Sequence, residues 1–388
     1  MVFHHIPAEG SGQQAQAGKP GVIVVNLGTP EDTGYGAVRR YLSEFLSDRR
    51  VIEGPPVLWQ PILQGIVLTT RPKASGRAYA RIWDIERNES PLRGVTRRQA
   101  EKLAERLGVS GVPVVWGMRY GRPALAEALH DLLRQGCERI LVMPLYPQYS
   151  ATTTATANDQ IFRALMKLRN QPALRTLPPF ADDPDFIAAL ARSVRDAQDR
   201  ALAEMSAPSA PRTTPQIPPR TSSPSVGQTT GQVAGQAAGQ AAGQTASEPF
   251  QMVVASFHGL PKDYVTKGDP YAADCLKTVV ALRAALGMDE TTLPMTFQSR
   301  FGPAKWLEPY TAPFIKALPA RGITRIAVVM PGFMADCLET LDEIGNEVRE
   351  EFMAAGGESF TLIPCLNDSP ASIDLLEKLA RRELAGWL

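Results

Sequence analysis

Short runs of aliphatic and β-branched residues alternate along this chain with longer segments in which apolar residues recur at helical spacing. The runs predict buried strands at residues 21–26, 113–116, 139–143, 174–177, 251–257 and 326–330. Helical spacing is found near residues 38–46, 57–68, 93–107, 124–134 and 185–204. Gly or Pro closely follows each predicted strand. This alternation of strand and helix is typical of an α/β fold built on parallel sheets.

The second half of the chain repeats features of the first half. Val142-Met143-Pro144 recurs as Val329-Met330-Pro331, and the segment at 119–123 is loosely echoed at 300–303. The prolines that bound residues 178–184 have the same spacing as those of 364–370, and each segment precedes a predicted helix. We therefore predict one α/β unit used twice, with two parallel-sheet domains that face each other across a cleft.

Two segments have a composition that opposes folding. Residues 1–20 are polar and rich in Gly and Gln, and 206–247 is rich in Pro, Ser and Thr and contains GQVAGQAAGQAAGQ. Because both have few large apolar side chains, we predict a disordered tail and a disordered insertion. The remaining chain divides into a first domain at 21–185, a linking helix at 186–205, and a second domain at 248–388 that ends in a helix.

Composition and charge exclude several classes of protein. The 388 residues are 44% hydrophobic with a formal net charge of +1, and no basic run indicates nucleic-acid binding. The four cysteines are far apart in the sequence, which argues against a zinc or iron–sulfur site and fits the reducing cytoplasm. No secretory signal pattern is present, so we expect a cytoplasmic location. The apolar stretch 57–68 is shorter than the roughly 20 residues that span a bilayer, and predicts a buried or interfacial helix.

A row of carboxylates follows one of the predicted strands. Pro331 and Gly332 end the strand, and residues 336–347 have helical spacing. On an α-helix Glu339, Glu343 and Glu347 would share one face, with Asp336 one turn earlier. A solvated acidic face is the simpler interpretation. The position at the carboxyl end of a parallel strand favours a ligand instead, and a row of oxygen ligands there would suit a divalent cation.

Two histidines lie in segments predicted to be ordered. His130 belongs to a surface helix, whereas His258 directly follows a strand and precedes Gly259-Leu260-Pro261. His258 and Glu339 follow two strands of one half, so the sheet can bring them together. Such a pair can hold a metal or act as an acid–base pair, or it can be a hydrogen bond that only fixes two loops.

The remaining motifs restrict the ligand. The sequence has no glycine-rich nucleotide fingerprint, no nucleophile elbow and no H-E-x-x-H zinc motif. Large side chains near the predicted strand ends would suit a large, flat, apolar ligand with acidic groups; they are Tyr146, Tyr149, Phe301, Trp306, Phe333 and Met334, with Arg119 and Arg300.

Six segments together resemble the ferrochelatase family, in the same order along the chain. They are NLGTP (26–30), ERNESPL (86–92), LYPQYSATT (145–153), SFHGLP (256–261), QSRFGPAKWL (298–307) and ADCLETLDE (335–343). The resemblance runs from about Gly21 to the C-terminus and is interrupted by the insertion. It implies two Rossmann-like domains, each with a parallel four-stranded sheet flanked by helices.

The resemblance also implies an activity: the metal-inserting lyase of haem biosynthesis that places Fe²⁺ in protoporphyrin IX and releases two protons. His258 and Glu339 match the family's active-site histidine and glutamate, which act in catalysis and metal binding. A proton or metal relay is expected at Glu343, Glu347 and Asp336. Porphyrin contacts are expected at Arg119, Tyr120, Phe333 and Ser299. Alternatives are a chelatase for another tetrapyrrole such as coproporphyrin III, a chelatase for another metal, or a non-catalytic porphyrin carrier.

Two departures from the family pattern concern cysteine. Many members carry a histidine where Cys337 stands, so the role of that position is open. Some members hold a [2Fe–2S] cluster on clustered cysteines near the C-terminus, where this chain has only Cys365. We predict no cluster and no permanent cofactor, with Fe²⁺ as substrate. We further expect a monomer that touches the inner membrane peripherally, since 57–68 falls near the family's apolar lip.

Overall fold

The computed structural model describes residues 18–206 and 248–388. Most of the predicted tail and insertion therefore lies outside the described residues. At their edges the structure differs from the expectation, because Lys19 and Pro20 already belong to the first strand and Ser206 is the last residue of a helix.

Within the described residues the strands form two four-stranded sheets in which every pair is parallel. The first sheet contains β1 (Lys19–Gly28), β2 (Val114–Tyr120), β3 (Cys137–Pro144) and β4 (Ala173–Thr176). The second contains β5 (Met252–His258), β6 (Met295–Gln298), β7 (Arg325–Val329) and β8 (Ser359–Leu362). The predicted fold class is confirmed.

Helices connect these strands. Those of the first half are α1 (Tyr35–Leu46), α2 (Pro56–Ile62), α3 (Leu68–Ile82), α4 (Pro91–Gly108), α5 (Leu125–Arg134), α6 (Thr156–Leu165) and α7 (Pro184–Ser206). Those of the second are α8 (Lys262–Thr266), α9 (Tyr271–Leu286), α10 (Thr311–Lys316), α11 (Arg349–Ala354) and α12 (Pro370–Glu383). Three segments are π-helical, namely Leu63–Val67, Ala151–Ala155 and Glu339–Val348, and Pro319–Arg321 is a 3₁₀ turn.

The two sheets have the same strand order, β2-β1-β3-β4 and β6-β5-β7-β8. The internal repeat predicted from the sequence is therefore a repeat of topology. In each sheet the chain crosses from one side of the first strand to the other, and ligands of open α/β sheets bind at such a switch point. The carboxyl ends of β1 and β5 are those switch points.

A shared hydrophobic core joins the two sheets. One face of each sheet contributes to it, with Val24 and Met143 from the first and Ala255 and Val329 from the second. The C-terminal helix α12 packs against α4, α7 and β3, so the end of the chain returns to elements of the first half. No described helix has the length and apolarity needed to cross a membrane.

Gly28, the last residue of β1, sets the close approach of two strand ends. Its φ is +119°, in the region that favours glycine, and a Cβ at this position would lie 1.9 Å from the carbonyl oxygen of Tyr120. Its own carbonyl accepts a hydrogen bond from the Tyr41 hydroxyl at 3.2 Å. This glycine therefore allows the carboxyl ends of β1 and β2 to lie close together at the first domain's switch point.

We predict that Gly28→Ala lowers the free energy of unfolding by about 2 kcal/mol or more, because both the φ angle and the contact with Tyr120 oppose a side chain. Urea unfolding measures the change. The control is Gly36→Ala in α1, where the nearest atom to the new Cβ is the flexible Arg40 Nη1 at 3.6 Å. Equal destabilisation by both variants would contradict the assignment.

Candidate active site

A cleft between the two domains begins at the carboxyl ends of β1 and β5. Its inner part is lined by Tyr41, Phe45, Tyr79 and Tyr146 of the first domain and by Phe333, Met334 and Glu339 of the second. Its outer part is lined by Trp59, Arg71, Tyr264, Ser299, Phe301 and Trp306. His258 lines both parts and lies where they meet.

His258 is the last residue of β5 and pairs with Gln298 of β6. Its Nδ1 lies 2.7 Å from the carbonyl oxygen of Gly259. Because a carbonyl oxygen only accepts hydrogen bonds, this contact requires a hydrogen on Nδ1. The neutral ring then has its lone pair on Nε2, which leaves that atom able to accept a proton or bind a metal.

Glu339 opens the π-helix Glu339–Val348 and lines the inner cleft. Gln298 donates to its backbone carbonyl at 2.8 Å and accepts a hydrogen bond from Ser256 at 2.7 Å. The strand pair β5–β6, which ends in His258, is thus tied to the start of the π-helix. The structure brings His258 and Glu339 to the same cavity.

Cys337 is buried against Leu92 and Val95 of α4. Burial, followed by the charge of Glu339 and a hydrogen bond to it, raises the pKa of the Cys337 thiol well above its usual value. At neutral pH this side chain is a neutral donor to the carboxylate, and the thiolate that binds metals is disfavoured.

Glu343 is the second carboxylate of the row. It accepts hydrogen bonds from the Ser299 backbone N–H at 2.7 Å and from the Ser299 hydroxyl. Ser299 has a φ of +65°, a left-handed conformation that is uncommon for serine and turns its N–H toward the carboxylate. Burial raises the pKa of Glu343, with Glu339 adding to the rise, while Ser299 and His258 oppose it.

The outer end of the row differs from the expectation of an α-helical face. Residues 339–348 are π-helical, with a wider turn than an α-helix, and Glu347 reaches the surface. There it pairs with Arg81 of α3 at 3.0 Å, and Arg81 also makes a bidentate contact with Asp342. Neither Arg81 nor Asp342 was among the sequence candidates, and no short motif marks their pairing.

Asp336 lies before the π-helix and turns away from the row. It accepts hydrogen bonds from Thr340 at 2.9 Å, from Asn367 at 2.6 Å and from the Cys365 N–H at 3.3 Å. The donors Asn367 and Cys365 lie in the loop after β8, so their bonds fix this loop to the loop after β7. In the described structure Asp336 therefore makes hydrogen bonds that connect these segments, and it does not continue the row of Glu339, Glu343 and Glu347.

Arg119 and Tyr120 form a buried network behind the cleft wall. Arg119 contacts Asp48 and donates to Thr156 at 2.6 Å, and the Tyr120 hydroxyl donates to Asp48 at 2.9 Å. The Tyr120 ring packs edge-on against Phe45, with 5.1 Å between centroids. Neither residue lines the inner or outer cleft, so their contact with the cleft runs through Phe45.

Of the other sequence candidates, Phe333 lines the inner cleft and Ser299 lines the outer cleft. Most of the predicted aromatic residues also line one of these two parts. Tyr149 and Arg300 line neither part. The sequence missed Tyr41, Phe45 and Tyr79, which come from α1 and α3. The spacing of Tyr41 and Phe45 predicts only a common helix face, and their rings do stack at 6.2 Å.

Among the described residues, no group of three or more His, Cys, Asp or Glu is arranged to hold a metal ion. Cys137, Cys275, Cys337 and Cys365 are buried free thiols.

The family model described as Ferrochelatase matches residues 19–213 and 232–384. The chain belongs to the ferrochelatase family. A ferrochelatase from Gluconobacter oxydans is 59% identical over 95% of this chain and 95% of its own length. One from Brucella anthropi is 50% identical over 97% of this chain and 95% of its own length. Among solved structures, SirB from Bacillus subtilis with Fe3+ matches 95% of this chain and 96% of its own with a TM-score of 0.48 and 11% identity, too low a similarity to bear on function.

We predict that Asp48→Asn in this member of the ferrochelatase family lowers the free energy of unfolding near neutral pH by about 3 kcal/mol, because the buried Arg119 loses its close counterion and keeps only the half-exposed Glu44 at 3.8 Å. Burial acts to raise the pKa of Asp48, but hydrogen bonds from Thr156 and Arg50 and the charge of Arg119 hold it below its usual value. The ion pair's contribution is therefore present above the unfolded pKa of about 3.9 and is lost as pH falls through the folded pKa.

Urea unfolding between neutral and acidic pH tests this prediction. The parent and Asp48→Asn should differ most near neutral pH and converge below about pH 4. The control is Asp131→Asn, which removes the exposed partner of Arg134 and should change stability by less than about 1 kcal/mol. A difference for Asp48→Asn that does not change with pH would contradict the ion-pair assignment.

Proposed function

We propose that this protein inserts Fe²⁺ into protoporphyrin IX and so forms protohaem with release of two protons. Membership of the ferrochelatase family supports iron insertion as the activity. The observation that carries the mechanism is the meeting of His258 and Glu339 at an aromatic-lined cleft, with Glu343 bonded to Ser299 of its outer part. The protein is then a metal-inserting enzyme of haem biosynthesis, with iron as substrate.

The two pyrrole protons are the main obstacle to this reaction. They occupy the centre of the ring, and a divalent cation forms four bonds to nitrogen only after both have left. His258 is placed to accept the first, because Nδ1 is committed to Gly259 and Nε2 has the free lone pair. Glu339, on the same cavity wall, binds the incoming Fe²⁺ or receives the second proton.

Glu343 continues the path away from the ring. Its raised pKa brings proton uptake by this carboxylate closer to neutral pH than for an exposed glutamate. Ser299 donates two hydrogen bonds that hold the carboxylate in place. We assign Glu339, Glu343 and Glu347 to proton transfer out of the cleft, with Asp336 positioning the loop that leads to them.

The aromatic walls hold the macrocycle. Tyr41, Phe45 and Tyr79 of the first domain face Phe333 of the second across the inner cleft. A flat ring held between rigid walls can be bent out of plane, which exposes the nitrogen lone pairs to the metal. Arg119 and Tyr120 support this wall from behind through Phe45.

We also propose peripheral contact of a monomer with the cytoplasmic face of the membrane. Val57, Leu58, Ile62 and Ile66 of α2 and the following π-helix are 84%, 67%, 46% and 62% exposed. Their neighbour Trp59 lines the outer cleft, so this apolar ridge borders the entrance. A hydrophobic substrate or product could then pass between cleft and bilayer.

We predict that His258→Ala and Glu339→Gln each lower zinc or iron insertion at least a hundredfold and leave porphyrin binding within about threefold of the parent, because each removes a proton-transfer or metal-binding group and keeps the aromatic walls. The measurement is the anaerobic absorbance of protoporphyrin IX with Fe²⁺ or Zn²⁺. Porphyrin affinity is obtained from fluorescence quenching.

His130→Ala in α5 and Glu350→Gln in α11 are the matched controls and should keep parent activity. Stoichiometric spectral shifts without turnover, equal in parent and Glu339→Gln, would indicate a carrier. Faster turnover with coproporphyrin III or with a metal other than iron would indicate a different chelatase. Loss of porphyrin binding in His258→Ala would assign His258 to packing.

We predict that Leu58→Ser with Ile62→Ser weakens binding to phosphatidylcholine vesicles containing phosphatidylglycerol by about tenfold or more, because two exposed apolar side chains are lost from the ridge. Vesicle co-sedimentation measures the change. Val109→Ser is the control, since Val109 is 92% exposed at the end of α4, outside the ridge. An equal loss of binding in both proteins would refute contact through the ridge.

A further inference from the structure

We propose that Arg81 closes the outer end of the glutamate row to divalent cations, so that the row passes protons and does not admit the metal substrate. This inference rests on the proposed function and names a specificity-determining residue for it. The row here means Glu339, Glu343 and Glu347. Arg81 comes from the first domain and lies across the surface end of a helix of the second.

The contacts of Arg81 hold it in place. Its Nε donates to Asp342 at 2.6 Å, and its Nη2 donates both to the other oxygen of Asp342 and to Glu347 at 3.0 Å. Two parallel hydrogen bonds to one carboxylate fix the plane of a guanidinium, whereas a single exposed ion pair leaves it free to rotate. Arg81 therefore has a defined position on the π-helix.

Because Asp342 is buried, movement of Arg81 away from it would be energetically unfavourable. The Asp342 side chain is 4% exposed and receives one further hydrogen bond, from Asn346 at 3.0 Å. If Arg81 moved away, a buried carboxylate would lose its counterion. Glu347, by contrast, is 61% exposed, and Arg81 itself is 48% exposed. The guanidinium thus bridges the buried Asp342 and the exposed Glu347 at the outer end of the row.

This placement affects a metal ion and a proton differently. A divalent cation at Glu347 would find one of the two carboxylate oxygens already occupied by Arg81, and it would be repelled by the guanidinium charge at close range. A proton needs only one oxygen lone pair and a water molecule, and the Glu347 side chain stays largely exposed. The outer end of the row is therefore selective by charge and by occupied ligand positions.

The test uses the full-length protein without porphyrin and Mn²⁺ as the probe, because Mn²⁺ prefers oxygen ligands and its free form is counted by electron paramagnetic resonance. We expect Arg81→Gln to gain a Mn²⁺ site that binds about tenfold or more tightly than anything at this position in the parent. The added substitution Glu347→Gln should abolish the new site. This readout does not require catalysis, so it is independent of the proposed function.

Two variants separate charge from packing. Arg81→Lys keeps the positive charge and should gain no site, while Arg77→Gln, an exposed arginine one turn earlier in α3, should match the parent. If Arg81→Gln does not fold, Arg81→Gln with Asp342→Asn neutralises both members of the buried pair and should show the same gain. The thermal midpoint of each variant reports whether it is folded.

Either of two results would overturn the proposal. The parent could already bind Mn²⁺ as tightly as Arg81→Gln, with binding weakened by Glu347→Gln alone, which would mean that the row is open to metal. Alternatively, the folded uncharged variants could gain no site, which would mean that Arg81 is not what excludes the cation.

Discussion

A carboxylate withdrawn from water needs hydrogen-bond donors or a cation, and the architecture of the cleft depends on how this requirement is met. In each case a donor comes from a distant segment of the chain, so that satisfying the charge also fixes one loop against another. The four carboxylates concerned are Asp48, Asp336, Asp342 and Glu343. Asp342 in particular ties the second domain's π-helix to a helix of the first.

The same requirement produces opposite proton affinities at two of these sites. The pKa of Asp48 is held below its usual value because hydrogen bonds and the charge of Arg119 outweigh burial. The pKa of Glu343 is raised because burial outweighs the bonds from Ser299, and Glu339 adds negative charge nearby. The number and strength of the donors around each buried carboxylate therefore decide whether its pKa falls or rises.

The sequence predicted the features that depend on local pattern. Apolar runs followed by Gly or Pro located most strands; His258 was found because it directly follows one of these runs, and Glu339 because it lies in the charged segment after another. The short strands β6 and β8, of four residues each, were not among the predicted strands. Asp336 was assigned to the row because helical spacing was counted from residue 336, whereas the π-helix begins at Glu339. Spacing of four residues does not distinguish a π-helix from an α-helix.

The part of the cavity wall that comes from α1 and α3 could not be predicted, because it is recognised only when the domains meet. Tyr41, Phe45 and Tyr79 have the helical spacing of ordinary core residues, and only the packed structure shows that they face Phe333 across an open cleft. Arg81 and Asp342 are separated by 261 residues, and each sits in an unremarkable charged segment. The spacing of residues along the sequence does not reveal a contact between two residues so far apart in the chain.

Burial acts in the same direction on the proton affinities of the aromatic wall and of the glutamate row. It raises the pKa of the Tyr41 and Tyr79 phenols, so that both stay neutral and leave the wall uncharged. An uncharged aromatic wall suits a flat apolar ring. Burial likewise raises the pKa of Glu343, because it disfavours the charged form of any acid that is withdrawn from water. Withdrawal from water thus keeps the wall neutral and also favours the protonated form of the buried glutamate.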